Sequence, residues 1–290
     1  KELADYVCKN PMIFSSQADT ILPKEISEEE KSLSRLMLVN LDPPEHVKYR
    51  RIVRNAFTPK AVESYKARFK QVAKETVDRV AAKGHCEFVE EVAAELPLTA
   101  ILSLCGIPME DKKQFFDWTN IMTFADDPDV ATTREEAQAV SFEVILYAME
   151  LAKKQRENPT SQVVEALLNG EVEGEKISEE MFAWMFILIM VGGNESTRTA
   201  TAHGMRLLME HPEQLQHLID HPEDIPDAVE EMLRYNTAFI SMRRTATEDV
   251  EWNGYNIKKG DKIVLHYHAV NHDEDAYGDD AMNFDIHRAK

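Results

Sequence analysis

Two glycines in the middle of an apolar helix are the first feature that asks for a chemical reason. Gly192-Gly193 follow the run Met181 to Val191, MFAWMFILIMV, and are followed by Asn194-Glu195-Ser196-Thr197. A glycine inside a helix costs about 1 kcal/mol relative to alanine, so a pair implies close packing or room for something other than side chain. A carboxylate and two hydroxyls within one turn of that gap are what a proton relay to a bound small molecule requires. A kinked helix whose Ser and Thr bond back to the preceding turn accounts for the same residues. Both readings stand.

Arginines make the other two groups. Glu231-Met232-Leu233-Arg234 puts an acid and a guanidinium three apart on one helical face. At the surface such a pair contributes little. Buried, it needs a further partner to fill its hydrogen bonds, and Arg288 in Phe284-Asp285-Ile286-His287-Arg288 is a candidate, with Arg243 and Arg244 also downstream. His46 and Arg50, four apart on a basic helix, face the same way. With Arg244 brought in from a strand they would bind a dianion such as a pair of carboxylates; a lone helical pair explains them equally well. His266-Tyr267-His268 with His272 and Asp273 would set two imidazoles on one face of a strand. No further carboxylates cluster there, and a metal site is the weaker reading.

Most of the elements that carry these residues read as helix. Asp42-Pro43-Pro44 opens a basic helix to about Ala56, and Thr58-Pro59 punctuates its end. Ala61 to Ala82 repeats apolar residues at helical spacing and stops at Gly84. Phe88 to Leu104 reads as one further helical stretch, and others are expected over 111–124, 133–157 and 162–168. Gly170 to Glu175 reads as an acidic turn. The glycine pair sits in a long helix from Ser178, its N-cap, to about Met209, with Ile177 and Phe182 spaced as a hydrophobic staple. After a helix over 225–235 the pattern changes. Thr245–Glu251, Tyr255–Ile257 and Lys262–His266 read as short strands separated by Asn253-Gly254 and Gly260. The expected fold class is mainly α with a small β region, as one domain over 1–290: helical to 236, β-containing from 237.

Composition narrows the partners. With 43% hydrophobic and 29% charged residues the chain is that of an ordinary globular protein. A net charge of −19 disfavours nucleic acid, which needs a basic footprint. Between His46 and Lys70, however, eight basic residues face Glu63 alone, which suits either a solvated helical face or a docking patch for an acidic protein. Cys8, Cys86 and Cys105 form no CxxC, which argues against a disulfide framework or a thiolate zinc site and suits a reducing cytoplasm. The apolar run at 181–191 is too short to span a membrane. The chain starts at Lys1 without a secretory signal and is expected to begin in mid-protein. A di-iron oxygenase needs Glu-x-x-His pairs, and none of the ten histidines has an acid three residues before it.

The three groups occur together in the order of one family. Asp42-Pro43-Pro44-Glu45-His46-Val47-Lys48-Tyr49-Arg50 resembles the aspartate-proline segment and HxxxR helix of the cytochromes P-450, the haem-thiolate monooxygenases. Gly192 to Thr197 resembles their oxygen-activation motif, Glu231 to Arg234 their ExxR pair, and Arg244-Thr245-Ala246 through Gly260 their strand pair beside the haem. Phe284 to Arg288 is similar to the segment before their cysteine loop. The similarity spans Tyr6 to Arg288. Phe88-Val89-Glu90-Glu91-Val92, Glu95-Leu96-Pro97-Leu98 and Gly193 to Arg198 resemble the bacterial enzymes that hydroxylate the terminal side-chain carbon of sterols. Alkane and linalool hydroxylases share some of these stretches.

The resemblance implies a P-450 fold truncated at both ends, without the N-terminal strands and with the cysteine ligand beyond Lys290. It implies that His46, Arg50 and Arg244 bind haem b propionates beside Gly192 and Gly193, and that Glu195 and Ser196, or Thr197, deliver protons for oxygen activation. Ser196 stands where the family usually has Thr, which leaves its χ1 less restrained. Glu231, Arg234 and Arg288 would form a structural triad, and Ile189, Phe239, Ile240 and Met242 would line a dry pocket for a lipid. Dioxygen as co-substrate and electrons from NAD(P)H through an acidic ferredoxin-type partner follow from the same resemblance. The intact protein is expected to be an enzyme, and residues 1–290 alone a non-catalytic scaffold.

Overall fold

The structure, a computed structural model, describes residues 1–124, 127 and 133–288, and not the side chains of residues 55, 56 and 134. Contacts sort the chain into two bodies, Lys1–Arg35 with Val39–Pro43 and Thr199–Lys290, and Leu36–Leu38 with Pro44–Arg198. The last two residues of the expected 237–290 region lie outside the described residues.

The body around Pro44–Arg198 is helical, and its helices start where capping chemistry puts them. Thr58 accepts from the Ala61 N–H at 3.3 Å and Pro59 takes the first position of the Pro59–Lys83 helix. Gly84, at φ 73°, ends it in the left-handed region. Ser161 Oγ accepts from Val164 N to open Gln162–Leu168. Ser178 Oγ accepts from Met181 N at 3.0 Å to open Glu179–Glu210. Ile177 and Phe182 are both buried in the core of this body. There Phe115 packs edge-on against Trp118, Tyr147 and Phe186, with ring centroids 5.1, 5.1 and 6.2 Å apart. Burial of such a side chain stabilises by about 1.5–3 kcal/mol.

Phe88 to Leu104 is not one regular helix. Val89–Ala93 forms a π-turn and Glu95–Cys105 an α-helix. Pro97 is the cause: lacking an N–H, it is tolerated in a helix's first turn, so the helix must begin just before it. The wider turn upstream is closed by Ala94 N donating to Val89 O at 2.9 Å. The acidic turn at 170–175 is a hairpin, with Glu171–Val172 paired to Glu175–Lys176 and Glu173 and Gly174 at φ 57° and 88°.

In the other body, Ser241–Ala246 is the middle strand of an antiparallel sheet. Phe14–Ser15 and Lys262–His266 flank it, with Phe14 opposite Ala246 and Arg244 opposite Ile263. The strand expected over 245–251 divides in two. Thr247 N donates to Ile13 O, and Val250–Trp252 pairs instead with Tyr255–Ile257 around Asn253-Gly254. His266 ends its strand and caps the Tyr267–Asn271 helix, accepting from Ala269 N at 3.2 Å. His266 and His268 therefore do not share a strand face, and no metal-ligating cluster exists among the described residues. Leu207, Leu218, Ala228, Phe284 and Ile286 form a core around the Ile225–Tyr235 helix. Among the described residues no helix is long and apolar enough to cross a membrane.

Candidate functional site

The two glycines differ in what surrounds them. A Cβ on Gly193 would sit 2.6 Å from Ile101 Cδ1, so this glycine lets the Glu179–Glu210 helix approach the Glu95–Cys105 helix. A Cβ on Gly192 would meet nothing within 4 Å; that position fronts open space. Ser196, half-buried on the same side, donates its hydroxyl to Gly192 O at 2.7 Å, the back-bonding geometry of a helix serine. The oxygen keeps lone pairs with which to accept a further bond. Thr197 is exposed.

Glu195 is buried, at 6% exposure. Arg198 Nη2 donates to its Oε2, and Asn194 Nδ2 donates to its Oε1 at 3.0 Å. Arg198 Nη1 reaches Asn120 Oδ1 at 2.7 Å, and Asn194 Nδ2 also reaches Thr119 Oγ1 at 3.0 Å. Loss of water pushes the Glu195 carboxyl above the usual carboxylate range, opposed by the Arg198 charge and by hydrogen bonds with Thr119 and Asn194. Sequence reasoning assigned no part to Arg198, Thr119 or Asn120. The Glu-Arg spacing of three carries a signal for Arg198; nothing local marks two residues more than seventy positions upstream.

Adjacent arginines on the central strand serve opposite faces, as strand alternation requires. Arg243 is fully buried, 2.5 Å from Asp19 Oδ2, with further donations to Thr20 O and Lys24 O. Arg244 is half-buried; it donates to Arg243 O at 2.8 Å and has no carboxylate partner among the described residues. Arg50, in the other body, is exposed and likewise has none, and His46 on the same helix is half-buried. A haem brings two propionates. Guanidiniums with no acid of their own, and a glycine facing open space, have the chemistry to hold such a group. Of the cysteines, Cys105 is buried, which pushes its thiol up to about 12, Cys8 is exposed and Cys86 is half-buried.

Glu231 and Arg234 are 5% and 8% exposed and meet in a two-pronged contact, Nε to Oε2 at 2.6 Å and Nη2 to Oε1 at 2.8 Å. Arg234 also donates to the carbonyls of Asn271, Ala281 and Asn283. Glu231 Oε1 receives Asp285 N at 3.0 Å and lies 3.4 Å from Arg288 Nε. Arg288 in turn donates to Tyr277 O and Asp280 Oδ1. A buried charge group is thereby bonded at nearly every polar atom.

The remaining candidates are apolar. Ile189 is half-buried against the core of its body, Met242 half-buried opposite Leu265, and Phe239 and Ile240 are 48% and 64% exposed. A groove of about 540 Å³ elsewhere, lined by Arg79, Glu95, Lys112, Leu98, Met109 and Phe116 among others, contains none of these residues.

Residues 225–288 match the cytochrome P-450 family model. A Mycolicibacterium smegmatis protein named steroid C26-monooxygenase is 35% identical over 98% of this chain and 66% of its own length. A Mycobacterium bovis protein named methyl-branched lipid omega-hydroxylase is 36% identical over 98% of this chain and 66% of its own length. The chain thus spans less than two thirds of the length of both relatives. A Mycobacterium marinum cytochrome P-450 solved with pseudoionone superposes with a TM-score of 0.89 at 33% identity, covering 99% of this chain and 70% of that one. In sequence and in fold, the chain belongs to the cytochrome P-450 family.

Proposed function

We propose that the chain is the helical centre of a haem-dependent monooxygenase that inserts one oxygen atom of dioxygen into a C–H bond at the terminal carbon of a sterol side chain. The observation that carries this reading is Gly192, fronting open space with the Ser196 hydroxyl on the same side and the buried Glu195 beside it. The names of two relatives, steroid C26-monooxygenase and methyl-branched lipid omega-hydroxylase, support a terminal carbon on a branched lipid. Haem, held through its propionates by His46, Arg50 and Arg244, supplies the oxidising chemistry when bound. Ser196 orients a proton at its Oγ, Glu195 stores one at its carboxylate, and Ile189, Phe239, Ile240 and Met242 exclude water around the lipid. Glu231, Arg234 and Arg288 hold the scaffold.

In the intact protein, sterol ketones with an unbroken side chain are expected to shift the haem spectrum at lower concentration than linalool or a medium-chain alkane. The product is expected to carry its hydroxyl on the terminal carbon. Tighter binding and faster turnover of linalool or the alkane would remove the sterol assignment. Ser196→Ala is expected to leave sterol binding unchanged while product per reduced nicotinamide falls several-fold, because the hydroxyl acts on protons and not on the lipid. Thr197→Ala, at an exposed position, should change neither measurement.

Electrons are proposed to come from NAD(P)H through an acidic ferredoxin-type partner docked on the basic helix. Lys48 is a poor probe of that surface, since Glu45 and Glu173 bind it at 2.9 and 2.6 Å. Arg51 and Arg54 are exposed and have no acid partner among the described residues. Reversing both to Glu is expected to slow reduction by an acidic ferredoxin at low salt about tenfold or more and to flatten its salt dependence. Equal rates in the variant would return these arginines to an ordinary solvated face.

A further inference from the structure

The turn of the short hairpin breaks a local rule. Glu171–Val172 and Glu175–Lys176 are joined by Glu173 and Gly174, at φ 57° and 88°. A two-residue turn with both φ positive favours Asn, Asp or Gly at its first position: Gly lacks the Cβ that clashes, and the short polar side chains bond to their own backbone. Glutamate is a poor choice for folding this turn. What it supplies is a carboxylate on a stem long enough to reach another element. Glu173 Oε1 lies 2.6 Å from Lys48 Nζ, on the Glu45–Ala56 helix. The hydrogen bond from Lys48, with its charge, holds the Glu173 carboxyl below the usual carboxylate range, so the acid is ionised at neutral pH.

Packing, and not this ion pair, holds the hairpin against that helix. A Cβ on Gly170 would collide with Ile52 Cγ2, so the chain enters the hairpin in close contact with the buried Ile52. Ile177 N donates to Gly170 O at 3.1 Å and closes the hairpin's base. The ion pair itself lies at the surface, with side-chain exposures of 31% for Lys48 and 72% for Glu173, and adds little to stability. Its consequence is electrostatic. The same helix presents Arg51 and Arg54, exposed and without an acid partner among the described residues. Glu173 is thus an acid from a second element, seated where an acidic partner is proposed to dock and engaging one of the bases there. Glu45 also binds Lys48, at 2.9 Å, but from the preceding turn of the same helix, as an ordinary i,i+3 pair.

We propose that Glu173 is a built-in competitor of the acidic redox partner: it holds Lys48 in the free protein and gives it up on docking, so that docking is weaker than the basic helix alone would make it. This rests on the reading of that helix as the docking surface, and names an element that tunes it. A competitor differs from a stray negative charge in one respect. A charge that only repels the partner acts equally with or without Lys48, whereas a competitor acts through Lys48 and loses its effect when the lysine is removed.

The test is a double-mutant cycle read as affinity. An acidic two-iron ferredoxin is titrated at low salt, by calorimetry, into the intact haem protein and into Glu173→Asn, Lys48→Gln and the double variant. Asn suits the positive φ of the turn, so the hairpin is kept. Glu173→Asn is expected to tighten binding about threefold or more. Lys48→Gln alone should change binding less than about twofold, because the lysine is already engaged, but should weaken it about threefold or more in the Glu173→Asn background. Equal effects of Lys48→Gln in the two backgrounds overturn the proposal. Glu173→Gln, which keeps the stem and loses only the charge, should tighten binding as Glu173→Asn does; unchanged affinity in it overturns the proposal even if the turn of the Asn variant shifts. Reversal of Arg51 and Arg54 separates the competitor from the docking surface. If that reversal weakens binding while both Glu173 variants leave it unchanged, the surface stands and the competitor falls; if all of them leave it unchanged, both fall.

Discussion

Glu231→Gln is expected to lower the stability of the chain by roughly 3–5 kcal/mol, the cost of breaking a buried pair from one side. The exchange is nearly isosteric, so the loss comes from charge and not from a cavity. Arg234 and Arg288, 8% and 9% exposed at their side chains, would face each other across a neutral amide. The glutamine NH₂ would also point a donor where the carboxylate accepts from a guanidinium or from Asp285 N. That is a large share of the stability of an ordinary domain. Urea denaturation followed by circular dichroism measures it, with the exposed neighbour Glu230→Gln as a control expected within about 0.5 kcal/mol of the parent. A midpoint equal to the control's would mean that the Glu231 contacts are no stronger than surface ion pairs.

The second large effect belongs to a residue outside the proposed chemistry. Arg243→Met is expected to destabilise by about 3 kcal/mol and to loosen the segment from Asp19 to Glu25. Arg243 reaches that segment through Asp19, Glu25 and the carbonyls of Thr20 and Lys24, and its own N–H donates to Ile21 O. Methionine fills much of the volume but removes the Arg243 charge from the buried Asp19, which keeps Lys31 3.1 Å away. The loss should for that reason be smaller than at Glu231. Limited proteolysis provides the check: cleavage between Asp19 and Lys31 should quicken in Arg243→Met, while Arg244→Met leaves it unchanged. Equal cleavage rates in the two variants would mean that Arg243 does not anchor the segment.

Helix 225–235 was legible in the sequence because its apolar spacing and its Glu-Arg pair are both local, and the structure places it over Ile225–Tyr235. The same holds for the long helix, whose cap, staple and apolar run lie within a few residues of one another. The π-turn at Val89–Ala93 was hidden because Pro97, its cause, sits further along the chain in a stretch of good helical periodicity. Arg243 carried no assigned role in the sequence because its partner, Asp19, is more than two hundred residues away. At the candidate site the sequence showed the acid, the hydroxyl and the gap. The direction in which the acid points depends on Arg198, Thr119 and Asn120, and no pattern within one helix carries that information.

The paired arginines also bear on how faithfully the central strand finds its register. A slip of one residue exchanges the two faces of a strand, and the usual safeguard is that it moves unlike side chains into each other's places. Here a slip in either direction would still leave an arginine at one of the two positions now held by Arg243 and Arg244, so the charges discriminate weakly against the error. Their neighbours must supply the discrimination. Phe14, fully buried opposite Ala246, tolerates only a small side chain there, and Met242 meets the buried Leu265. A bulky residue at position 246 would therefore threaten more than local packing, because it removes a check on misregistered chains during folding.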